Sequence, residues 1–265
     1  MEIKAVDVAK LRKMTGAGMM DCKNALTEAQ GDFDRAQEII REKGKLIAAK
    51  RSDRTATEGV VVAEVVGTKA YMLCLACETD FVAKGEEFGA AAKAFLAEAV
   101  AMDAADAESL MGKISETVTA LSGKTGEKVE VAHYSRIEAP MCVSYIHMNN
   151  KLGTLIGLDK EVEMQVARDV AMQAAAMAPV SISEDDCPKD VLEKEHKIGM
   201  EQARLEGKPE KMLEMIAGGK VKKFLSENTL VNQSLVKDNK KTVAQYLTEN
   251  GGAVVVAYKR FSLND

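Results

Sequence analysis

The sequence contains no tryptophan, and aromatic residues make up only 4% of its 265 positions. Alanine and 15 methionines fill their place, which favours a helix-rich fold over a large β-sandwich. No apolar run reaches the roughly 18 residues that a membrane-spanning helix needs, so we expect no membrane contact. The first 14 residues contain acids and lack an apolar core, which argues against a secretion signal or a transit peptide.

Residues suited to chemistry are also scarce. The five cysteines form an odd set without framework spacing, which indicates a reducing, cytoplasmic location. The net charge of −5 argues against a general nucleic-acid coat, which would be basic. The three histidines lack metal-ligand spacing, and the sequence contains no phosphate-binding loop, dinucleotide fingerprint or nucleophile elbow. We therefore expect no metal, no cofactor and no catalytic residues.

A lone CxxC motif, Cys74 to Cys77, lies in the apolar run AYMLCLAC. If that run is a strand, residues three apart point to opposite faces, and the two sulfurs can neither share a metal nor form a redox pair. A thioredoxin-type site would place them at a helix start. The pattern thus predicts buried, structural cysteines.

The N-terminal region is predicted to be a three-helix module. Residues 3–44 contain three short helical patterns, and the third is predicted to end at Gly44. The basic segment 41–54 follows as a solvated, helical linker, with a nucleic-acid contact as the alternative interpretation. The first predicted domain is therefore 1–54.

The middle of the chain repeats one pattern, two strands joined by a turn and followed by a helix. The first copy covers 59–100 and the second 141–177. A helix at about 106–122 and a strand lie between the two copies. We expect an α+β fold with a duplicated core, divided into subdomain one at 55–139 and subdomain two at 140–265.

Subdomain two is predicted to carry an inserted, projecting antiparallel helical hairpin at about 188–226. Val191, Ile198 and Leu205 repeat every seven residues and are predicted to form the seam of its first arm. A C-terminal helix, KTVAQYLTENGG, and a closing strand, AVVVAYKRF, complete the predicted fold.

The joint ETDFVAK, residues 78–84, is unusual because turns usually carry Gly, Asn, Ser or Pro. In the second copy about two residues join strand to helix, but about eight do so here, which predicts a protruding loop. From the residues alone, two interpretations of Phe81 stay open. It folds back onto the core beneath a turn capped by Thr79 or Asp80, or it is an exposed apolar tip that enters another protein.

Two motifs at this distance, TGAGMMDCK at 15–23 and TDFVAK at 79–84, resemble the elongation factor Ts family. They match its ubiquitin-associated-like N-terminal module and its exchange loop. The resemblance covers nearly the whole chain, through the duplicated core and the helical hairpin to the final strand. The family exchanges guanine nucleotide on elongation factor Tu, which delivers aminoacyl-tRNA to the ribosome. The resemblance thus implies a bacterial, cytoplasmic exchange factor that performs no covalent chemistry and does not bind nucleic acid directly.

The resemblance also implies roles for individual residues. The exchange loop, which enters beside the nucleotide and Mg²⁺ of elongation factor Tu, corresponds to Thr79, Asp80, Phe81 and Val82. His147 corresponds to a core contact near the same place, although a surface residue beside a turn is the plain alternative. The N-terminal contacts on the partner correspond to Arg12, Met19, Met20 and Lys23.

Two other classes of function stay open at this stage. One is an adaptor for ubiquitin-like proteins or chaperones that uses the N-terminal helices and the helical hairpin. The other is a thiol enzyme that uses Cys74 and Cys77. Stable binding without an effect on GDP release would favour the first class, and two reactive thiols of low pKa would favour the second.

Overall fold

The computed structural model describes residues 3–265, so the first two positions of the predicted 1–54 module lie outside the described residues. The fold mixes helices and sheets, as the α+β prediction requires. The helices are α1 Ala5–Thr15, α2 Met19–Glu28, α3 Phe33–Arg51, α4 Asp80–Ala83, α5 Glu86–Ala101, α6 Ala107–Thr125, α7 Met164–Met177, α8 Lys189–Leu205, α9 Glu210–Asn228 and α10 Val243–Glu249. The strands are β1 Glu58–Val66, β2 Lys69–Cys77, β3 Glu130–Glu138, β4 Met141–Ile146, β5 Leu152–Leu158, β6 Ser234–Leu235, β7 Asp238–Thr242 and β8 Val255–Ser262. Within residues 3–265, no helix is long and apolar enough to cross a membrane.

The chain divides into two compact units. Unit 1 contains the described residues up to Val62, then Leu73–Tyr134 and Leu263–Asp265. Unit 2 contains Ala63–Met72 and Ser135–Ser262. The predicted boundaries at 54 and 139 stay a prediction.

In unit 1, helices α1 to α3 surround a small apolar core of their own. Val8 and Leu11 of α1 and Leu26 of α2 are among its buried residues. Asp32 caps α3 by accepting hydrogen bonds from the backbone N–H groups of Asp34 and Arg35. The predicted start of the third helix at Asp32 is confirmed, because a cap is a local signal. The first two helices begin earlier than their acids suggested, at Ala5 and Met19.

The predicted end of the third helix at Gly44 is wrong, because α3 continues to Arg51. Gly44 is buried against α6, and a Cβ atom added at Gly123 would lie 2.4 Å from the Gly44 Cα. The two glycines thus allow the backbones of α3 and α6 to touch, and this packing offsets the weak helix propensity of glycine. Most of the segment 41–54 is therefore helix packed on α6, and only Ser52 onward leaves it.

The strand–turn–helix order occurs twice, as β1, β2 and α5 and as β4, β5 and α7, and reading it as a duplication stays a prediction. The predicted joint of about two residues in the second copy is wrong, because β5 ends at Leu158 and α7 begins only at Met164. Asp159 bonds to Val254, its N–H donating to the Val254 carbonyl at 3.0 Å and its carboxylate accepting from the Val254 N–H at 2.7 Å. These two hydrogen bonds attach Asp159 to the residue that precedes β8. Five residues, 159–163, join strand to helix here, against eight, 78–85, in the first copy.

Unit 2 is built on an antiparallel sheet with strand order β4–β5–β8. Val143 pairs with Ile156 across β4 and β5, and Ile156 pairs in turn with Tyr258 of β8. Helix α7 packs on this sheet through Val166 and Val170, which belong to the same apolar cluster as Ile156. A short ribbon, β6 with β7, precedes α10, and the sequence patterns did not predict it.

Helices α8 and α9 pack on each other along their length, but the seam differs from the predicted heptads. Leu205 is 84% exposed, whereas Gly199, Ala203 and Ala217 are buried. A Cβ atom added at Gly199 would lie 3.2 Å from the Ala217 Cα, so small residues set the close approach of the two helices. The heptad pattern failed because it weighed large apolar residues and ignored glycine and alanine.

Candidate protein-interaction site

The joint between β2 and α5 is a capped single turn of helix, not an irregular loop. Thr79 is the N-cap of α4, and its side-chain oxygen accepts a hydrogen bond from the Val82 N–H at 3.4 Å. Phe81 lies on this turn and is 86% exposed. The interpretation in which Phe81 folds back onto the core is therefore wrong, although Thr79 does cap the turn. The apolar ring instead faces solvent from a defined backbone.

Asp80, the neighbour of Phe81, is also on the surface. Its carboxylate accepts a hydrogen bond from the Lys84 ammonium at 2.6 Å, one helical turn further on. The pairing raises the pKa of Lys84, chiefly through this hydrogen bond. Ion pairs between exposed side chains contribute little to stability, so a competing cation or positive group can displace Lys84 at small cost.

Glu127 fixes the start of the turn. One of its carboxylate oxygens, Oε2, accepts hydrogen bonds from the backbone N–H groups of Glu78 and Thr79 at 3.1 and 3.0 Å. The other oxygen, Oε1, accepts from the Thr79 hydroxyl at 2.6 Å. Glu127 follows Gly126, which ends α6 with a left-handed φ of 70°. The end of α6 thus places a carboxylate directly beneath the first residues of the joint.

Glu78 holds the same joint from the side of α3. Its carboxylate accepts from Arg51 and from Arg54, each at 2.9 Å, and from the backbone N–H of Lys128 at 2.6 Å. These bonds lower the pKa of Glu78 to about 2. The hydrogen bond from the Lys128 N–H is the largest cause, and the two guanidinium groups add to it. The charged form of Glu78 is therefore bound firmly by groups from two other segments.

A second exposed surface lies on the N-terminal helices of unit 1. Met19 and Met20 open α2 and are 47% and 64% exposed. Lys23 lies on the same helix and Arg12 on α1, which packs on α2, and both side chains are exposed. Cys22 and other residues on the opposite face of α2 pack in the core, so the methionine pair faces solvent. Flexible methionines suit a contact with another protein.

His147 belongs to unit 2, unlike the other predicted site residues. It follows β4, and its backbone closes the strand end by hydrogen bonding with Leu152. The imidazole Nδ1 lies 3.1 Å from the Tyr145 hydroxyl, and the side chain is exposed. The neighbouring Met148 is 92% exposed. The histidine therefore lies on the surface at a strand end, which fits both a partner contact and the plain alternative of a surface residue beside a turn.

The cysteines of the CxxC motif are free and fully buried in β2. Burial raises the pKa of both Cys74 and Cys77 to about 12. The Cys77 thiol donates to the Thr79 carbonyl at 3.3 Å, which suits a neutral thiol. Because the thiolate is the reactive form, this environment opposes thiol chemistry. Among residues 3–265, no group of three or more His, Cys, Asp or Glu side chains is arranged to hold a metal ion.

The anchors of the joint were not found by sequence reasoning. Glu127 and Glu78 are 49 residues apart, and Arg51 lies 27 residues before Glu78. An isolated acid after a glycine carries no local signal for such a contact. Only the packed chain brings these groups together, whereas Thr79 and Phe81 stand out because turn chemistry is local.

An anchored, exposed aromatic ring and an exposed methionine pair are typical of a protein that binds another protein. The model of the family "Elongation factor TS" matches residues 78–265. The elongation factor Ts of Christiangramia forsetii is 45% identical over 273 residues, which cover 99% of each chain. That of Porphyromonas gingivalis is 45% identical over 272 residues, covering 100% of this chain and 99% of its own. That of Amoebophilus asiaticus is 48% identical, with 98% of each chain covered. The chain belongs to the elongation factor Ts family.

Proposed function

We propose that this chain is the guanine-nucleotide exchange factor for elongation factor Tu. It binds the GDP-bound partner in the cytoplasm, promotes release of GDP and leaves a nucleotide-free complex that GTP can reload. The process needs no cofactor and makes or breaks no covalent bond. Family membership supports the class of activity, and the 86% exposure of Phe81 on an anchored turn is the structural observation that carries the mechanism.

The proposed mechanism follows from thermodynamic linkage. A protein that binds elongation factor Tu more tightly without nucleotide must weaken nucleotide binding by the same factor. Phe81 would enter an apolar crevice of a rearranged partner, with Thr79 and Val82 flanking it. Asp80 would disturb the ligands of the partner's Mg²⁺, because a carboxylate is a strong oxygen ligand.

The N-terminal surface and His147 would supply binding energy away from this step. Met19 and Met20 would form the apolar centre of a contact, with Arg12 and Lys23 as charged groups beside it. His147 would contact the partner from unit 2. In this arrangement the N-terminal residues set affinity, while the α4 turn sets the rate of GDP release.

Phe81→Ala tests the mechanism with two measurements. Because the ring is exposed, its loss should leave the free energy of unfolding within about 0.5 kcal/mol of wild type, whereas a core phenylalanine would cost about 3–5 kcal/mol. GDP release from elongation factor Tu should slow about 30-fold, as expected for a central aromatic contact worth about 2 kcal/mol. Release of a fluorescent GDP, followed by stopped flow, measures the rate.

Leu205→Ala is the matched control, since Leu205 is an equally exposed large apolar residue on α8. It should change neither stability nor exchange. Asp80→Ala should also slow release, with a larger effect when Mg²⁺ is present. A folded Phe81→Ala protein that exchanges GDP at the wild-type rate would refute the mechanism. Binding of the wild-type chain to elongation factor Tu without any effect on GDP release would favour an adaptor.

A further inference from the structure

The α4 turn cannot hold its own orientation. It has four residues, and a single helical turn is unstable in isolation because nucleation costs more than its few hydrogen bonds return. None of its residues is buried. Its direction must therefore come from the flanking chain. Helix α5 follows two residues later and contacts it, and on the other side Glu127 accepts hydrogen bonds from three donors of Glu78 and Thr79.

From this geometry we infer that Glu127 is a positioning residue for nucleotide exchange, an inference that rests on the function proposed above. Glu127 would touch neither partner nor nucleotide. It holds the N-cap Thr79 in place, and Thr79 in turn sets the direction of the turn that carries Phe81. Because the α4 turn is already ordered in the free protein, no ordering cost is subtracted from the binding free energy when Phe81 enters the partner.

The Glu127 side chain performs two tasks at this position. It accepts from the two adjacent backbone N–H groups that follow β2, and it accepts from the Thr79 hydroxyl as well. Charge-assisted hydrogen bonds of this kind are roughly twice as strong as neutral ones. Arg51 and Arg54 restrain Glu78, the residue before the cap, but their hydrogen bonds do not reach Thr79.

Glu127→Ala removes all three hydrogen bonds and is the main test. In the free protein, the N–H groups of Ala83 and Lys84, which bond to Thr79 and Asp80, should exchange with solvent about tenfold faster. The maximal rate of GDP release at saturating factor should fall about tenfold, which corresponds to about 1.4 kcal/mol of ordering. The factor concentration that gives half of this rate should change less, because the N-terminal surface is intact.

Two variants separate positioning from general stability. Glu127→Gln keeps the shape, with an amide oxygen for the backbone donors and an amide N–H for the Thr79 hydroxyl, and should restore most of the rate. Glu127→Asp keeps the charge but withdraws the carboxylate, and it should behave like Glu127→Ala. Glu116→Ala is the matched control, because it removes another carboxylate of unit 1, one that pairs with Arg41 of α3.

A double-variant cycle completes the test. If Glu127 acts through the α4 turn, then adding Glu127→Ala to Phe81→Ala should lower the rate by much less than tenfold, because Asp80 alone is left to misplace. Additive losses, unchanged amide protection in both Glu127→Ala and Glu127→Asp, or lost protection with an unchanged rate would each overturn the inference. Failure of the wild-type chain to accelerate GDP release would instead remove the proposed function, while amide protection would still decide whether Glu127 orients the turn.

Discussion

At the scale of single residues, exposure and burial divide the unusual side chains of this chain into two sets. The aromatic side chain of Phe81 is exposed to solvent, whereas the thiols of Cys74 and Cys77 are buried. An exposed ring contributes nothing to the core, and the proposed function accounts for it as a contact with the partner. Buried thiols behave as small apolar groups and need no such explanation.

The two cysteines are predicted to be dispensable for exchange. Replacing both Cys74 and Cys77 with Ala should cost about 1–3 kcal/mol of stability through lost packing, yet leave GDP release at the wild-type rate. Thiol titration of the native protein should find both unreactive at neutral pH, because their pKa values are raised to about 12. A folded double variant without exchange activity would show that the motif takes part in the function.

Some residues of the candidate site could be predicted from the sequence, and others could not. Thr79 and Phe81 were predicted to matter because their residue types contradict ordinary turn chemistry, and the choice between a buried and an exposed ring needed the structure. Glu127 was invisible, because an acid signals an anchor only when its distant hydrogen-bond donors are known. The roles of Met19, Met20 and His147 come from resemblance and stay proposals.

At the scale of elements, the joint before α4 depends on the charge of Glu78. Its folded pKa of about 2 lies below its ordinary value near 4.5, so the charged form is favoured by folding. The stabilisation it provides is therefore complete above pH 4.5 and is lost as the pH falls toward 2. Acid should loosen this joint as Glu78 becomes protonated.

Glu78→Gln makes this dependence measurable. The variant should be less stable than wild type at pH 6, and the difference should shrink steadily between about pH 4.5 and pH 2, where wild type also loses the charge. Urea unfolding at a series of pH values gives the two free energies. Glu116→Gln serves as the surface control. A difference that is independent of pH across this range would mean that the charge of Glu78 does not contribute to stability.

Element boundaries show where sequence patterns reach their limit. The start of α3 was predicted because Asp32 is a local cap, but its end was missed because Gly44 has a tertiary use. The start of α7 was misplaced because Val162, before the helix, packs on the core and donates its N–H to the Met141 sulfur at 3.3 Å. In each case a long-range contact outweighed a local preference. Such a contact cannot be read from a window of neighbouring residues.

At the scale of the whole molecule, the N-terminal helices are continuous with the rest of unit 1 through α3. The basic segment that composition marks as a linker is mostly helix against α6, so the exposed connection is shorter, residues 52–57. Limited proteolysis should therefore cut within 52–57 and spare the helical residues before it.

A chain that starts at residue 55 is predicted to bind elongation factor Tu more weakly. It lacks Met19 and Met20, and it also exposes the face of α6 that α3 covers, so its stability should fall as well. Titration calorimetry and urea unfolding separate the two losses. Met20→Ala in the full chain is the control, because it should weaken binding without destabilising unit 1. Unchanged affinity in both would remove the N-terminal surface from the contact.

The burial of the cysteines has a practical consequence for spectroscopy. All five thiols of the chain are buried and free, so the native protein should react slowly with maleimide dyes. A single cysteine introduced at Leu205, where the side chain reaches solvent, would then accept a fluorophore without removal of the native cysteines. Paired with a fluorescent nucleotide on elongation factor Tu, that label would time the departure of GDP against the arrival of the factor in individual complexes.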